Sequence, residues 1–392
     1  MLTLDDPAFI TRFHTDQPVQ QIGDSPFYAV GTWELIADVV RRPAEFSSNL
    51  TATMICHENG TISEFPVAGL GDAVHVLATA DGPRHRLHRS LVMPSLTPVR
   101  IRELEPHVAG IVDTAWSEGI DGDRIDWSTA VAHRVPVAVV TELLGLPADD
   151  VDDLARWAHA TTGLIDGIVA PGRLAAATAA VGELTSYLDG ALGRALQDID
   201  AATGVLADIA AAIIRTDLDR STAVMMLLQL VAAGSESTTG LLHSAVRLLA
   251  ENPDVTARLR REPDRIPAFI EEALRLESPF RGHFRHVVDD TVLGDTPLPA
   301  GSHLYLMWRA ANRDPAQFDD PDRIDLDRAV AGPDGRRTAR AAHVAFGRGL
   351  HLCVGAGLAR MQSRLAITRL LSATTDFALV ETPATLNLTG PG

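Results

Sequence analysis

Residues 222–250 constrain this chain more than any other stretch. Leu, Val, Ile, Met and Ala recur there at three- and four-residue spacing, broken by one polar island, AAGSESTTG. An apolar rod of that length needs neighbours of its own kind. The same period returns at 100–118, 131–145 and 175–197, with Asp, Glu and Arg between the apolar positions. LLGLPADD at 143–150 and LLAENPDV at 248–255 place Gly or Asn-Pro just after an apolar run, where helices stop. Strand signals cluster in HVVDDTVLGDTPLPAGSHLYLM, 286–307, as short alternating pieces broken by Gly-Asp, Pro and Ala-Gly. The expectation is a mainly α fold with a minor β region. No repeat, low-complexity block or Ser/Gly linker marks a cut, which leaves one large domain over 1–392 or two smaller ones open at this point.

Hydrophobic residues are 46% and charged residues 22%, as in an ordinary globular protein. A formal net charge of −17 argues against non-specific binding to nucleic acid or to an anionic membrane. VMMLLQLVAAG at 224–234 turns polar too soon to span a bilayer, and the N-terminus lacks the order of a secretory signal. Cys56 and Cys353 cannot form a disulfide framework. A cytoplasmic protein is expected.

The second cysteine sits in FGRGLHLCVG, 346–355. Gly347 and Gly349 permit backbone conformations closed to other residues and let the chain approach a flat object. A helical pattern follows Cys353 at once, and a helix N-terminus favours thiolate over thiol. Such a thiolate is a good soft ligand for iron. An inert buried cysteine is the bland alternative. A zinc site from His343, His351 and Cys353 is another, although structural zinc prefers four ligands.

The decapeptide resembles the haem-binding signature of the cytochrome P450 family, with Phe346, Gly347, Gly349, His351, Cys353 and Gly355 each in the matching place. The resemblance implies the cytochrome P450 fold as a single domain over 1–392, and haem b with Cys353 as the axial thiolate. Phe346 would pack beside the sulfur and His351 would bond a haem propionate. Thiolate ligation pushes electron density toward O–O cleavage.

Other parts of such an enzyme are recognisable. In FIEEALRLESPF, Glu272 and Arg275 stand three apart on one helix face and resemble the family's Glu-x-x-Arg motif, with Arg323 of FDDPDRIDLDR as the third member of a buried structural network. His85 and Arg89, four apart, resemble a His-x-x-x-Arg pair at the haem edge, and Arg285 matches the arginine after the Glu-x-x-Arg helix. In the polar island, Ala233 and Gly234 precede Glu236, Ser237 and Thr238. Gly234 would let the helix widen locally, and the acid and alcohol would relay protons for oxygen activation. Ser237 stands where the family usually has Thr, which keeps the hydroxyl but loses the stiffening methyl.

By the same resemblance, the substrate pocket is outlined by residues 60–80 and 160–195, by Ala233 and Ser237, and by Phe280, His283 and Phe284. The last strand, near LNLTGPG, is expected to be short or missing. The function implied is a haem-thiolate monooxygenase that inserts one oxygen atom from O2 into a small or medium, largely apolar molecule. Oxidative coupling, desaturation or ring formation is the alternative within the family, and a non-catalytic haem-thiolate sensor the alternative outside it. With no flavin or nucleotide-binding unit recognisable in the chain, electrons from NAD(P)H are expected to arrive through ferredoxin reductase and ferredoxin. Arg336, Arg337, Arg340 and Arg348, before the cysteine, form a basic patch suited to an acidic ferredoxin.

Overall fold

The computed structural model describes residues 7–15, 17–57, 61–66, 74–165, 168–169, 174–328, 330–331, 337–338, 343–381 and 385–389. Two short helices, α1 (Pro7–Thr15) and α2 (Trp33–Arg41), lie among the first strands. A helical body follows: α3 (Gly82–Val92), α4 (Pro98–Gly119), α5 (Arg134–Leu144), α6 (Val151–Ile165), α7 (Leu174–Gln197), α8 (Gly204–Ile214), α9 (Arg220–Glu251), α10 (Pro253–Arg261) and α11 (Ile266–Leu276). After the single turn α12 (Trp308–Ala311), α13 (Ala356–Ala373) completes it. The periodic stretches thus appear as α4, α5, α7 and α9, and a π-helical turn, Ser128–His133, leads into α5.

α9 is the axis of this body, packing against α5, α6, α7, α11 and α13. Met226, Leu227 and Leu228 are buried in succession, so no side of that segment faces water, which is what an all-round apolar rod requires. Each such side chain contributes about 1.5–3 kcal/mol on burial. Asp219 caps the start by accepting from the Thr222 N–H at 2.8 Å. Pro253 ends the helix, because it holds the preceding Asn252 out of helical geometry at φ −128° and ψ 73°.

The main sheet runs in the order Val19–Gln21, Phe27–Val30, His303–Met307, Gly282–Val287, Phe46–Ser47. His303–Met307 pairs parallel to Phe27–Val30 and antiparallel to Gly282–Val287. The 286–307 region therefore supplies a central strand and part of its neighbour, plus the hairpin Thr291–Leu293 with Thr296–Leu298. The last strand is present and short, five residues long. Thr385–Thr389 pairs with Asp376–Glu381 on one side and Arg124–Asp126 on the other, so two neighbours fix its backbone.

Candidate functional site

The cysteine loop is held by its own backbone. The Gly347 N–H donates to the Val344 carbonyl at 2.8 Å and the Cys353 N–H to the Phe346 carbonyl at 2.9 Å. Gly347 and Gly349 take φ of +67° and +70°, the left-handed region that costs other residues energy. A Cβ on Gly349 would also lie 3.3 Å from the Val40 carbonyl oxygen of α2.

The Cys353 side chain is accessible, yet protein crowds around it. Burial pushes its pKa up, while the Gly355 N–H, Arg89, Arg360 and the Ala356 N–H pull it down and do not win. The N–H groups of Gly355 and Ala356 thus favour the thiolate, as expected of a helix N-terminus, while burial opposes them. The zinc alternative gains nothing, since among the described residues His343, His351 and Cys353 do not form a three-ligand group.

Beside the loop lies a cluster of basic groups. The His85 ring tilts against His351 at a centroid distance of 4.2 Å. Arg89 Nη1 donates to the Leu352 carbonyl at 2.8 Å, and Arg285 Nη1 to the Phe284 carbonyl at 2.7 Å. Burial, with His351 and Arg89 nearby, lowers His85 to about 4. Burial lowers Arg285 to about 10, although Asp81 opposes it. Asp81 begins α3 without capping it. Its carboxylate instead accepts from Ser47 Oγ at 2.5 Å and from the Ser48 N–H, with His351 Nε2 at 3.7 Å. Burial would raise Asp81, but these partners hold it down at about 2. Two guanidiniums and two imidazoles thus share a partly buried region with one carboxylate, His85 and Arg285 being the buried members. His351 Nδ1 is buried there with no hydrogen-bond partner.

α11 supplies the anchor. Glu272 and Arg275 are buried and joined by Nε to Oε1 at 2.8 Å and Nη2 to Oε2 at 2.9 Å. Arg275 also donates to the carbonyls of Asn312, Pro321 and Arg323, and lies 5.2 Å from the Phe318 ring centre. Here one expectation is corrected. Arg323 contributes its carbonyl, while its side chain is 68% exposed and points to Asp325 at 3.8 Å. The third member of the network is Arg328, whose Nε donates to both Glu272 oxygens at 3.1 Å. The segment between them turns, as the Arg328 N–H bond to Asp325 O shows, so five residues reverse which side chain faces inward.

Two residues not singled out from sequence tie this anchor to the loop. Asn312, fully buried, accepts at its carbonyl from Arg275 and at Oδ1 from the Val344 N–H at 2.7 Å. Glu271 spans both ends of the loop, meeting His343 Nε2 at 3.2 Å and Arg360 Nε at 2.7 Å. Arg360 in turn lies 4.5 Å from the Phe346 ring centre. Burial raises the Glu271 carboxyl, but Arg360 and His343 overcome it and bring it to about 2. An acid adjacent to Glu272 on a helix was the available signal.

The polar island behaves differently from the expected local widening. α9 is continuous α-helix through Gly234, and a Cβ there would lie 2.7 Å from Val140 Cγ2. Gly234 serves close packing of α9 on α5. Ser237 Oγ donates to the Ala233 carbonyl at 2.7 Å, and Thr238 Oγ1 to Gly234 O at 3.4 Å. The Glu236 carboxylate points elsewhere, toward His159 Nδ1 at 3.4 Å and the neighbourhood of His133.

Of the pocket residues, Phe284 is corrected: it is buried in the sheet core against Tyr305 at 4.9 Å and Phe27 at 5.6 Å. Strand pairing places it directly opposite Tyr305, which decides its face. His283 accepts from Trp308 Nε1 at 2.7 Å and lies 5.2 Å from Phe280. In the basic patch, Arg348 stacks over Trp33 at 4.7 Å. Arg336 and Arg340 lie outside the described residues, and Arg337 is described as backbone in the strand Arg337–Thr338. No helix among the described residues is long and apolar enough to cross a membrane.

Comparison with known proteins completes the site. The cytochrome P450 family model matches residues 178–375. Cytochrome P450 144 of Mycobacterium tuberculosis is 45% identical over 373 residues, covering 95% of this chain and 83% of that protein. The vitamin D(3) 25-hydroxylase of Pseudonocardia autotrophica is 34% identical over 303 residues, 76% of this chain and 70% of that protein. A solved structure of a mutant P450 EryK in complex with erythromycin B superposes with a TM-score of 0.82 at 26% identity, covering 98% of this chain and 96% of that one.

Proposed function

This chain belongs to the cytochrome P450 family of monooxygenases, and we propose that it inserts one oxygen atom from O2 into a small or medium, largely apolar molecule by hydroxylation or epoxidation. The family holds haem through a cysteine thiolate. The observation that carries the reading is an accessible Cys353 in a loop of left-handed glycines beside a partly buried cluster rich in cations.

The residues fit haem b. Cys353 would supply the soft axial donor, and His351, whose Nδ1 lacks a partner, would take one propionate with Arg89, Arg285 and His85 near the carboxylates. Arriving carboxylates would give the buried Arg285, which burial now lowers, the opposite charge that favours its ionised form. When bound, haem supplies the activation of O2. The chain's own share is to hold the sulfur in place through Glu271, Glu272, Arg275, Arg328 and Asn312. Ser237 and Thr238 are the hydroxyls we assign to positioning a proton near the substrate, with Glu236 as the acid that replenishes it.

Electrons come from an external donor in this reading, with ferredoxin proposed for a face where Arg348, Leu350 and Leu352 lie beside Cys353. Leu350 is 59% and Leu352 46% exposed. A relative named vitamin D(3) 25-hydroxylase supports an oxygen-inserting role on an organic molecule. The test is to screen compounds for substrate-type spectral shifts, then to run turnover under isotopically heavy O2. One labelled oxygen in the product is expected. A product that forms without label would move the chain to desaturation, coupling or ring closure.

A further inference from the structure

We propose that His133, His159 and Glu236 form a divalent transition-metal site of the zinc class that bridges three elements of the helical body. His133 ends the π-helical turn before α5, His159 lies on α6 and Glu236 on α9. Their ligand atoms all lie within 4.8 Å of one another. Two ligands about 2.0–2.1 Å from a tetrahedral zinc are about 3.4 Å apart. The His159 Nδ1 to Glu236 Oε2 distance is 3.4 Å, so one edge of that tetrahedron is already formed. With every ligand atom within 4.8 Å of the others, His133 completes a three-ligand face by closing in at most about 1.4 Å. The His159 side chain is 65% accessible, so the site opens to solvent on that side.

The donor set is the right kind. Two imidazoles and one carboxylate suit zinc, copper or nickel better than calcium or magnesium, and they leave a fourth position for water. His243 packs edge-on to His133 at 5.3 Å and is itself held by Ser128 Oγ at 2.9 Å. That contact limits how far the His133 ring can turn away. None of the three belongs to the loop or cluster around Cys353.

A bound ion would pin α6 to α9 and occupy the Glu236 carboxylate. Whether that slows turnover rests on the proton role assigned to Glu236 above, so binding and turnover are read separately. The experiment titrates zinc ion alone into the haem-loaded enzyme, in which Cys353 is engaged, and follows heat and thermal midpoint. The expected result is saturable binding that raises the midpoint and weakens at least about tenfold in His133→Ala, His159→Ala and Glu236→Gln, since loss of even an outer-sphere partner costs about 10–100-fold. Equal zinc affinity in wild type and all three variants, or no binding in wild type, overturns the site. In the turnover arm, zinc should slow wild type and leave His159→Ala unaffected at the same concentration. Binding without any slowing keeps the metal site and overturns the role of Glu236 in proton supply.

Discussion

Two acids on neighbouring helices show how differently this fold treats charge. Glu272 of α11 meets Arg275 and Arg328 through both oxygens and also accepts from the Asp325 N–H at 2.9 Å. Glu236 of α9 is also mostly buried, yet the described contact to its carboxylate is a 3.4 Å approach from an exposed histidine. The first arrangement locks a position, because a buried charge with every lone pair used cannot shift without large cost. The second leaves a carboxylate free to change partners, which a proton carrier or metal ligand requires. Rigid charge surrounds the cysteine, and adaptable charge sits on the long helix.

The largest expected break in this contrast is Glu272→Ala or Arg275→Ala, each leaving a buried charge uncompensated at about 3–5 kcal/mol. Expression should yield little haem-loaded protein. Normal haem content and a normal melting temperature in both would mean that the network is dispensable.

Next comes Glu271, whose folded carboxyl lies at about 2 against an ordinary value of 4.5. A lowered carboxyl contributes stability above the unfolded value and loses it as pH falls through the folded one. The contribution is therefore full above pH 4.5 and fades toward about 2. Its size is on the order of 3 kcal/mol. Glu271→Gln should flatten that part of the acid-unfolding curve relative to wild type. Parallel curves would remove Glu271 from the account.

Arg328→Ala and Arg323→Ala sharpen the correction made above. Loss of a charged hydrogen-bond donor should cost about 1.5–3 kcal/mol at Arg328, whereas the exposed Arg323 should stay within about 0.5 kcal/mol. The reverse order in denaturant unfolding would restore Arg323 to the network. His159→Ala in the absence of metal is also small, expected within about 1 kcal/mol of wild type because the pair it breaks is half open to solvent.

What the sequence made legible follows the same division. α4, α5, α7 and α9 were visible as periodicity, and the loop 346–355 and the pair Glu272–Arg275 as fixed spacing, all of them local signals. Arg328 was missed because the turning segment 321–328 has no period to say which arginine faces inward. Glu271 was hidden beside Glu272, since one helix turn cannot reveal that neighbouring acids reach to opposite clusters. Phe284 was misplaced because its face depends on pairing with Tyr305, twenty-one residues later. The strands Val19–Gln21 and Phe27–Val30 are too short to alternate visibly, and their partner lies far along the chain. His133, His159 and Glu236 meet only because the turn Ser128–His133, α6 and α9 pack together.

The central claim is that this loop, braced by α11, presents Cys353 as the axial ligand of haem. It is tested most directly by the absorption spectrum of the reduced protein under carbon monoxide, for wild type and Cys353→His side by side. Wild type should show the red-shifted Soret band of thiolate ligation, and Cys353→His should retain some haem without that band. The same band in both proteins, or a colourless wild type after reconstitution with haem, would contradict the claim.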